Sequence, residues 1–176
     1  GAVGDYAVRT TTTENKVYYK NTSGTWVKVG TADWVKSWPT ITGSTANPTL
    51  TNSQTIVING STVTLSGTDV AAMVLAITGA GITGVTAKVV DGKLNIYSDG
   101  SSTTDGSTDD DGAINITAGA TGTLLADLGI TAGTYYAPAF EIAPHTAVPA
   151  FKTADSKSRP TGSIWLKTTD ANLGAQ

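Results

Sequence analysis

The chain is 176 residues long, carries a formal net charge of −3 and draws only 14% of its residues from Asp, Glu, Lys and Arg, against roughly 25% in ordinary soluble proteins. Its 11 Lys and Arg are scattered along the sequence, which excludes the basic stripe that nucleic-acid binding needs, and its lack of cysteine excludes disulfides and thiolate nucleophiles or metal sites. No apolar run approaches the ~20 residues of a membrane-spanning helix, so no membrane partner is expected, and abundant Thr, Gly and Ser favour strands joined by turns.

From Asp5 to Val29 the sequence predicts three short strands, "DYAVR", "KVYYK" and "TWVKV", separated by the loop-forming clusters "TTTTEN" and "NTSG". Alternation puts Tyr6, Val8, Val17, Tyr19, Val27 and Val29 on one face and Arg9, Lys20 and Lys28 on the other, an antiparallel meander with one covered side. The Pro-containing stretch "TADWVKSWPTITGSTANP" then reads as a connector.

Next comes "QTIVINGSTVTLSG", whose Asn59-Gly60 pair suits a type I′ turn because both positions need positive φ. A two-residue turn there pairs Ile58 with Ser61, Ile56 with Val63 and Thr55 with Thr64. Ile56, Ile58, Val63 and Leu65 then share a face, and only Val57 falls among the threonines opposite. "VTAKVVDGKLNIYS" repeats the logic around Asp91-Gly92, pairing Val89 with Leu94, Ala87 with Ile96 and Val85 with Ser98, with Thr86, Lys88, Asn95 and Tyr97 facing away. Between the hairpins, Val70, Met73, Val74 and Ile77 recur at helical spacing; Thr68 is the expected N-cap and Gly79 the expected left-handed stop. Beyond a polar loop, "AINIT" predicts a strand and "TGTLLADLGI" a short helical turn ended by Gly129, and Tyr135 to Arg159, with three prolines, reads as an extended crossing segment.

The acidic run Asp109, Asp110, Asp111 before Gly112 fails the EF-hand pattern, with Ser107 in the first position and Ala118 in the twelfth. Asp99, Asp105, Asp109 and Asp111 remain weak candidates for a looser cation site, set against a solvated surface loop. His145 is the sole histidine, no G-x-S-x-G elbow occurs, and "GAGITG" follows a helix where a phosphate loop must precede one. No catalytic residue and no cofactor is therefore assigned, and no enzyme is expected. Trp26, Trp34, Trp38 and Trp165, with Tyr18 and Tyr97, include several on faces opposite the predicted cores. Trp34, Trp38, Tyr97 and Trp165 are the candidates for an interface or a glycan contact, since exposed aromatics stack on sugars or anchor partners.

The stretch "INGSTVTLSGTDVAAMVLAITGAGITGVTAKVVDGKLNIYSDG", followed by "ADLGI", resembles the flagellin-type IN module also familiar from tail sheath, tail and fibre proteins of tailed bacteriophages. Here Thr78 replaces the Asn that usually follows the helix's last Ile. "GDYAVRTTTTENKVYYKNTSGTWVKVG" is similar to short β modules of phage tail and fibre proteins, and "TGSIWLKTT" looks like the first line of another copy. The resulting expectation is a mainly β fold with minor α. A meander over 1–38 precedes an IN-type module over 48–135, with two hairpins packed on one helix. A crossing segment over 136–159 leads to the first strand of a truncated second β module over 160–176, whose residues Ser163 to Thr168 should pair with the meander or fray.

The resemblance implies a non-catalytic structural module of a virion, contacting other virion subunits, including copies of itself, and carrying no catalytic residues to transfer. The alternatives are a module that binds a host-surface receptor or glycan through exposed Trp and Tyr, and a bacterial flagellar or adhesin domain.

Overall fold

A computed structural model describes residues 1–9, 16–103, 112–143 and 162–167. The fold is mainly β with minor α, and it divides into two compact units: Gly1–Trp38 with Pro138–Gln176, and Pro39–Ala137.

In the first unit, β1 (Tyr6–Arg9), β2 (Lys16–Lys20) and β3 (Trp26–Lys28) form the predicted antiparallel meander. Tyr6 pairs with Tyr19 and Tyr19 with Val27, while Val8 pairs with Val17, so one face collects the apolar residues. The β2–β3 turn is closed by Asn21, whose Oδ1 accepts from the backbone N–H of Ser23 and Thr25, and by Gly24 at φ 76°. Coverage of the apolar face is narrower than its pattern implies. Tyr19 and Val29 are buried, but Tyr6 and Val8 on the edge strand stay 44% and 54% exposed.

The connector is more ordered than its composition suggests. Its start makes a one-turn helix, α1 (Ala32–Val35), which buries both Trp34 and Val35. Its later part supplies β4 (Ile41–Thr42), a strand of the second unit.

In that unit β5 (Thr55–Ile58) and β6 (Ser61–Thr64) adopt the register predicted from Asn59-Gly60, and both turn residues have positive φ. Ile56, Ile58, Val63 and Leu65 are at most 1% exposed. Asn59 also extends the sheet sideways: its N–H donates to the Asn115 carbonyl and its Oδ1 accepts from the Asn115 N–H.

Helix α2 (Val70–Gly79) follows and buries Val70, Met73 and Ile77. Its boundaries correct the sequence expectation at both ends. Asp69, not Thr68, is the N-cap, with its carboxylate accepting from Ala72 N–H at 2.8 Å. Gly79 stays helical, and Gly81, at φ 61°, makes the left-handed turn.

The second hairpin, β7 (Val85–Val90) with β8 (Lys93–Ser98), also has its predicted register. Strand β9 (Ile114–Ala118), helix α3 (Leu124–Leu128) and β10 (Gly133–Tyr135) complete the unit, with Gly129 at φ 66° ending α3 as expected. The strand orders are β10-β9-β5-β6 and β4-β8-β7. Helix α2 packs on β6, β7 and β8, and α3 on β5 and β9, so the inner faces of both hairpins meet in one core containing Ile56, Met73, Ile77, Leu94, Ile96 and Ile116.

Two strands of the first unit remain, β11 (Phe140–Ala143) and β12 (Ile164–Lys167), and they pair in parallel. This corrects the expectation that Ser163 to Thr168 joins the meander or frays: Ile164 lies opposite Phe140, and Ile164 N–H donates to the Ala139 carbonyl at 2.8 Å. The segment read as a crossing connection thus begins with the strand that satisfies the closing one. Pairing with this third element counts against reading Ile164–Lys167 as a stranded opening strand.

Met73→Ala removes a side chain with no exposure from the middle of this core and is expected to destabilise the second unit by about 2–5 kcal/mol. Leu75→Ala, one turn face away and 73% exposed, is expected to stay within about 0.5 kcal/mol of the parent. Urea denaturation followed by circular dichroism compares the two, and equal losses would contradict the inward face assigned to α2.

Candidate functional site

The aromatic residues picked from the sequence fall in both units and differ in burial. Trp34 is completely buried and Trp38 half-buried, both in the first unit, and Tyr97 belongs to the second. Tyr19 links the first unit's rings, its centroid 5.1 Å from Tyr6 and 5.2 Å from Trp38. Gly162, at φ 95°, lies against Trp38 so closely that a Cβ there would stand 2.7 Å from the ring. Trp34 is therefore a core residue, whereas Trp38 packs against Tyr19 and Gly162 and keeps part of its surface open. The indole N–H of neither has a hydrogen-bond partner of good geometry among the described residues, although Trp34 lies near enough to the Tyr6 phenol to act on it as a weak donor.

Tyr97 is also corrected: it is 8% exposed, with Lys88 Nζ 5.3 Å above its ring. Its strand β8 is central, with β4 on one side and β7 on the other, and is covered on both faces. Trp165 lies on β12 opposite Glu141, and its side chain is outside the described residues.

Of the acidic candidates, Asp105, Asp109 and Asp111 lie outside the described residues. Asp99 is within them and turns its carboxylate onto its own loop: Oδ1 accepts from the N–H of Ser101 at 2.9 Å and from its hydroxyl at 2.5 Å. Among the described residues no three His, Asp or Glu side chains gather where a metal could be held.

Beside Asp99 runs a buried chain of hydroxyls. Ser102 Oγ donates to the Ala113 carbonyl at 3.0 Å, which leaves Ser98 Oγ to donate to Ser102 Oγ across 2.9 Å, while Ser98 Oγ accepts from Gly100 N–H. Thr40 Oγ1 accepts from Ser98 N–H at 3.0 Å. Both serines are at most 1% exposed, and the bonds from Ser98 through Ser102 to Ala113 tie residues that flank the polar loop, so the geometry is that of a structural clasp.

The exposed aromatic surface lies elsewhere, on the outer face of the meander. The register that sends Tyr19 and Val27 inward sends Tyr18 and Trp26 outward, with Ala7 opposite Tyr18 and Lys20 opposite Trp26. Ala7 is small, and the result is an open depression of about 290 Å³ lined by Ala7, Val8, Arg9, Tyr18 and Trp26. Trp26 is 39% exposed. Its other flank is held: Lys20 Nζ lies 5.7 Å from the ring and donates to the Gly1 carbonyl at 2.7 Å, and Gly1 rests against the ring edge. Parity along β2 and β3 was the signal available for Tyr18 and Trp26, since each neighbours a residue of the apolar face.

Comparison with protein-family models, with curated proteins and with solved structures found no match.

Burial raises the pKa of both Tyr6 and Tyr97 above 10.0; at Tyr6 the Trp34 donor opposes the rise and Tyr19 adds to it. A phenol that holds its proton more tightly when folded contributes stability that is complete below pH 10 and lost as pH rises through the folded value. Stability is therefore expected to fall above pH 10, and Tyr97→Phe to flatten part of that fall while leaving neutral-pH stability nearly unchanged; urea midpoints across the alkaline range measure this. In the clasp, Ser102→Ala removes the acceptor of the buried Ser98 hydroxyl and leaves the Ala113 carbonyl with the 3.5 Å bond from Asn59 Nδ2, and is expected to cost about 1–3 kcal/mol. A near-neutral result in the same denaturation assay would contradict the hydroxyl chain.

Proposed function

We propose that this chain is a non-catalytic structural module of a tailed-bacteriophage virion, from the sheath, tail or an associated fibre, working through contacts with neighbouring subunits. The observation that carries the reading is the run of elements from β5 to β8: hairpin, α2, then a second hairpin turning at Asp91-Gly92. That run occupies the stretch whose spelling resembles the flagellin-type IN module, and its helix touches both hairpins. A further support is the uneven finish of the surface. Val3, Tyr6 and Val8 are each more than 40% exposed on or just before β1, which has a strand partner on one side only among the described residues, and such an edge with apolar residues is a feature that assembly with another subunit would resolve.

Purified particles of the virus that carries this sequence provide the test. After density-gradient banding, mass spectrometry is expected to find peptides of this chain co-sedimenting with infectious particles in the multi-copy stoichiometry of a structural component. Peptides confined to the unassembled fraction of the lysate would overturn the proposal.

A further inference from the structure

We propose that β1 is the docking edge for a second copy of this chain, the two β1 strands pairing antiparallel about a two-fold axis at Ala7, so that Tyr6 of each copy lies opposite Val8 of the other. The pairing is a property of the isolated chain and does not depend on the particle reading; either can fail alone.

The register of the meander decides which way the backbone of β1 points. Lys20 N–H donates to the Asp5 carbonyl at 2.9 Å, and along an antiparallel pair hydrogen-bonded and non-hydrogen-bonded positions alternate. With Ala7 opposite Tyr18 and Arg9 opposite Lys16, Asp5, Ala7 and Arg9 turn their main-chain groups toward β2. Val17 shows the same alternation from the other strand: its carbonyl accepts from Val29 N–H and so faces β3, away from Val8. The outer edge is left with the N–H and C=O of Tyr6 and Val8, a short ladder with a donor and an acceptor at each residue. Among the described residues no strand lies on that side, and all four residues of β1 are exposed.

An identical edge fits this ladder in one register. Outward groups have to meet outward groups. Centring on Ala7 sets Tyr6 against Val8 twice and engages every outward group of both copies. Centring on Tyr6 sets Val8 against Gly4, whose N–H is already given to the Lys20 carbonyl, and centring on Val8 sets Tyr6 against position 10, past the end of β1.

The side chains agree with that register. Tyr6 and Val8 share a face and are 44% and 54% exposed, and each would cover its opposite number across the axis, an aromatic and β-branched pair made twice. Ala7 meets Ala7 on the other face, where a methyl group lets the backbones close to the short spacing of a non-hydrogen-bonded pair. Charge is complementary as well: Asp5 and Arg9 stand at opposite ends of the strand, so antiparallel pairing sets acid beside base and parallel pairing would set like beside like. Both keep the contacts they have, Asp5 with Ala2 N–H and Arg9 within its own chain, and only the signs of their charges enter here. Between those ends the edge carries no proline and no charge to blunt it.

So short a ladder covers far less than a standard interface, so the pair is weak in dilute solution and is read by trapping. The chain has no cysteine, which gives single-cysteine variants a clean background. In the proposed register the two copies of position 7 have Cα atoms about 4.5 Å apart, within the span of a disulfide. With oxidised glutathione taking up the two electrons, Ala7→Cys is expected to form disulfide-linked dimers about tenfold or more faster than Leu75→Cys, an exposed position of the other unit, because pairing raises the effective concentration of the partner thiol. Tyr6→Cys and Val8→Cys, each out of line with its own copy, are expected to dimerise alone at the Leu75→Cys rate and to cross-link with each other faster when mixed. Adding Val8→Pro to Ala7→Cys removes an outward N–H that β2 does not use and is expected to return the rate to that of Leu75→Cys. An Ala7→Cys rate no faster than that of Leu75→Cys, the result a partner of another kind would give, overturns the proposal. So does self-linking of Tyr6→Cys or Val8→Cys as fast as that of Ala7→Cys, or a rate indifferent to Val8→Pro. If Val8→Pro fails to fold, the single-cysteine comparisons still decide it.

Discussion

Asn59 and Gly60 hold φ at 47° and 75°, and Asp91 and Gly92 at 50° and 72°; the interior of the second unit depends on these four residues. A two-residue turn of positive φ fixes which residues face each other across a hairpin, and in a strand a slip of one position exchanges the buried and exposed faces completely. With the observed registers, Ile56, Ile58 and Val63 enter the core from one hairpin and Leu94 and Ile96 from the other, where α2 meets them with Met73 and Ile77. The structure braces both turns. Asn59 exchanges hydrogen bonds with Asn115 on β9, and Gly92 lies against Asn47, whose N–H donates to the Gly92 carbonyl at 2.8 Å. Any side chain at Gly92 would strike Asn47, so this position is restricted by contact as well as by conformation.

What could be read from the sequence was what is encoded within a few residues. Turn dipeptides, alternation and the helical stripe located both hairpins, their registers, α2 and the Gly129 stop, because each depends on neighbours at most a dozen positions away. The errors share the opposite property. Tyr97 was placed on an open face because nothing near it announces β4, a two-residue strand that pairs Ile41 with Ile96 and makes β8 central. Trp34 looked like part of a linker because one turn of helix is too short to display a period. The β11–β12 pairing is parallel and spans a long connection, and parallel partners carry no local turn signal. The helix caps moved by one or two residues because Thr68 and Asp69 are both competent N-caps and Gly79 and Gly81 both competent stops.

Alternation already assigned Tyr18 and Trp26 to the face away from Tyr19 and Val27. Trp34, Trp38 and Tyr97 drew attention instead because their burial partners lie far off in sequence. Asp99 illustrates the same limit for charge. Its acidity invited a cation, while its Oδ1 accepts from the N–H and hydroxyl of Ser101, two residues on, and the hydroxyls beside it serve the clasp from Thr40 to Ala113.

The meander shows why one set of rings is interior and the other open. Its inner face offers only uncharged side chains, so Tyr19 and Val29 can be buried without leaving an ion dry. Covering the outer face with apolar structure would take Arg9, Lys20 and Lys28 out of water together, and removing a charge from water costs several kcal/mol per ion even after relaxation. That penalty keeps Tyr18 and Trp26 at the surface although they sit among cross-strand neighbours as regular as those of Tyr19. It also restricts what can cover them. An apolar surface would have to desolvate those cations, whereas a wet one leaves them hydrated, so the charges that exclude the outer face from the core also limit what can cover it.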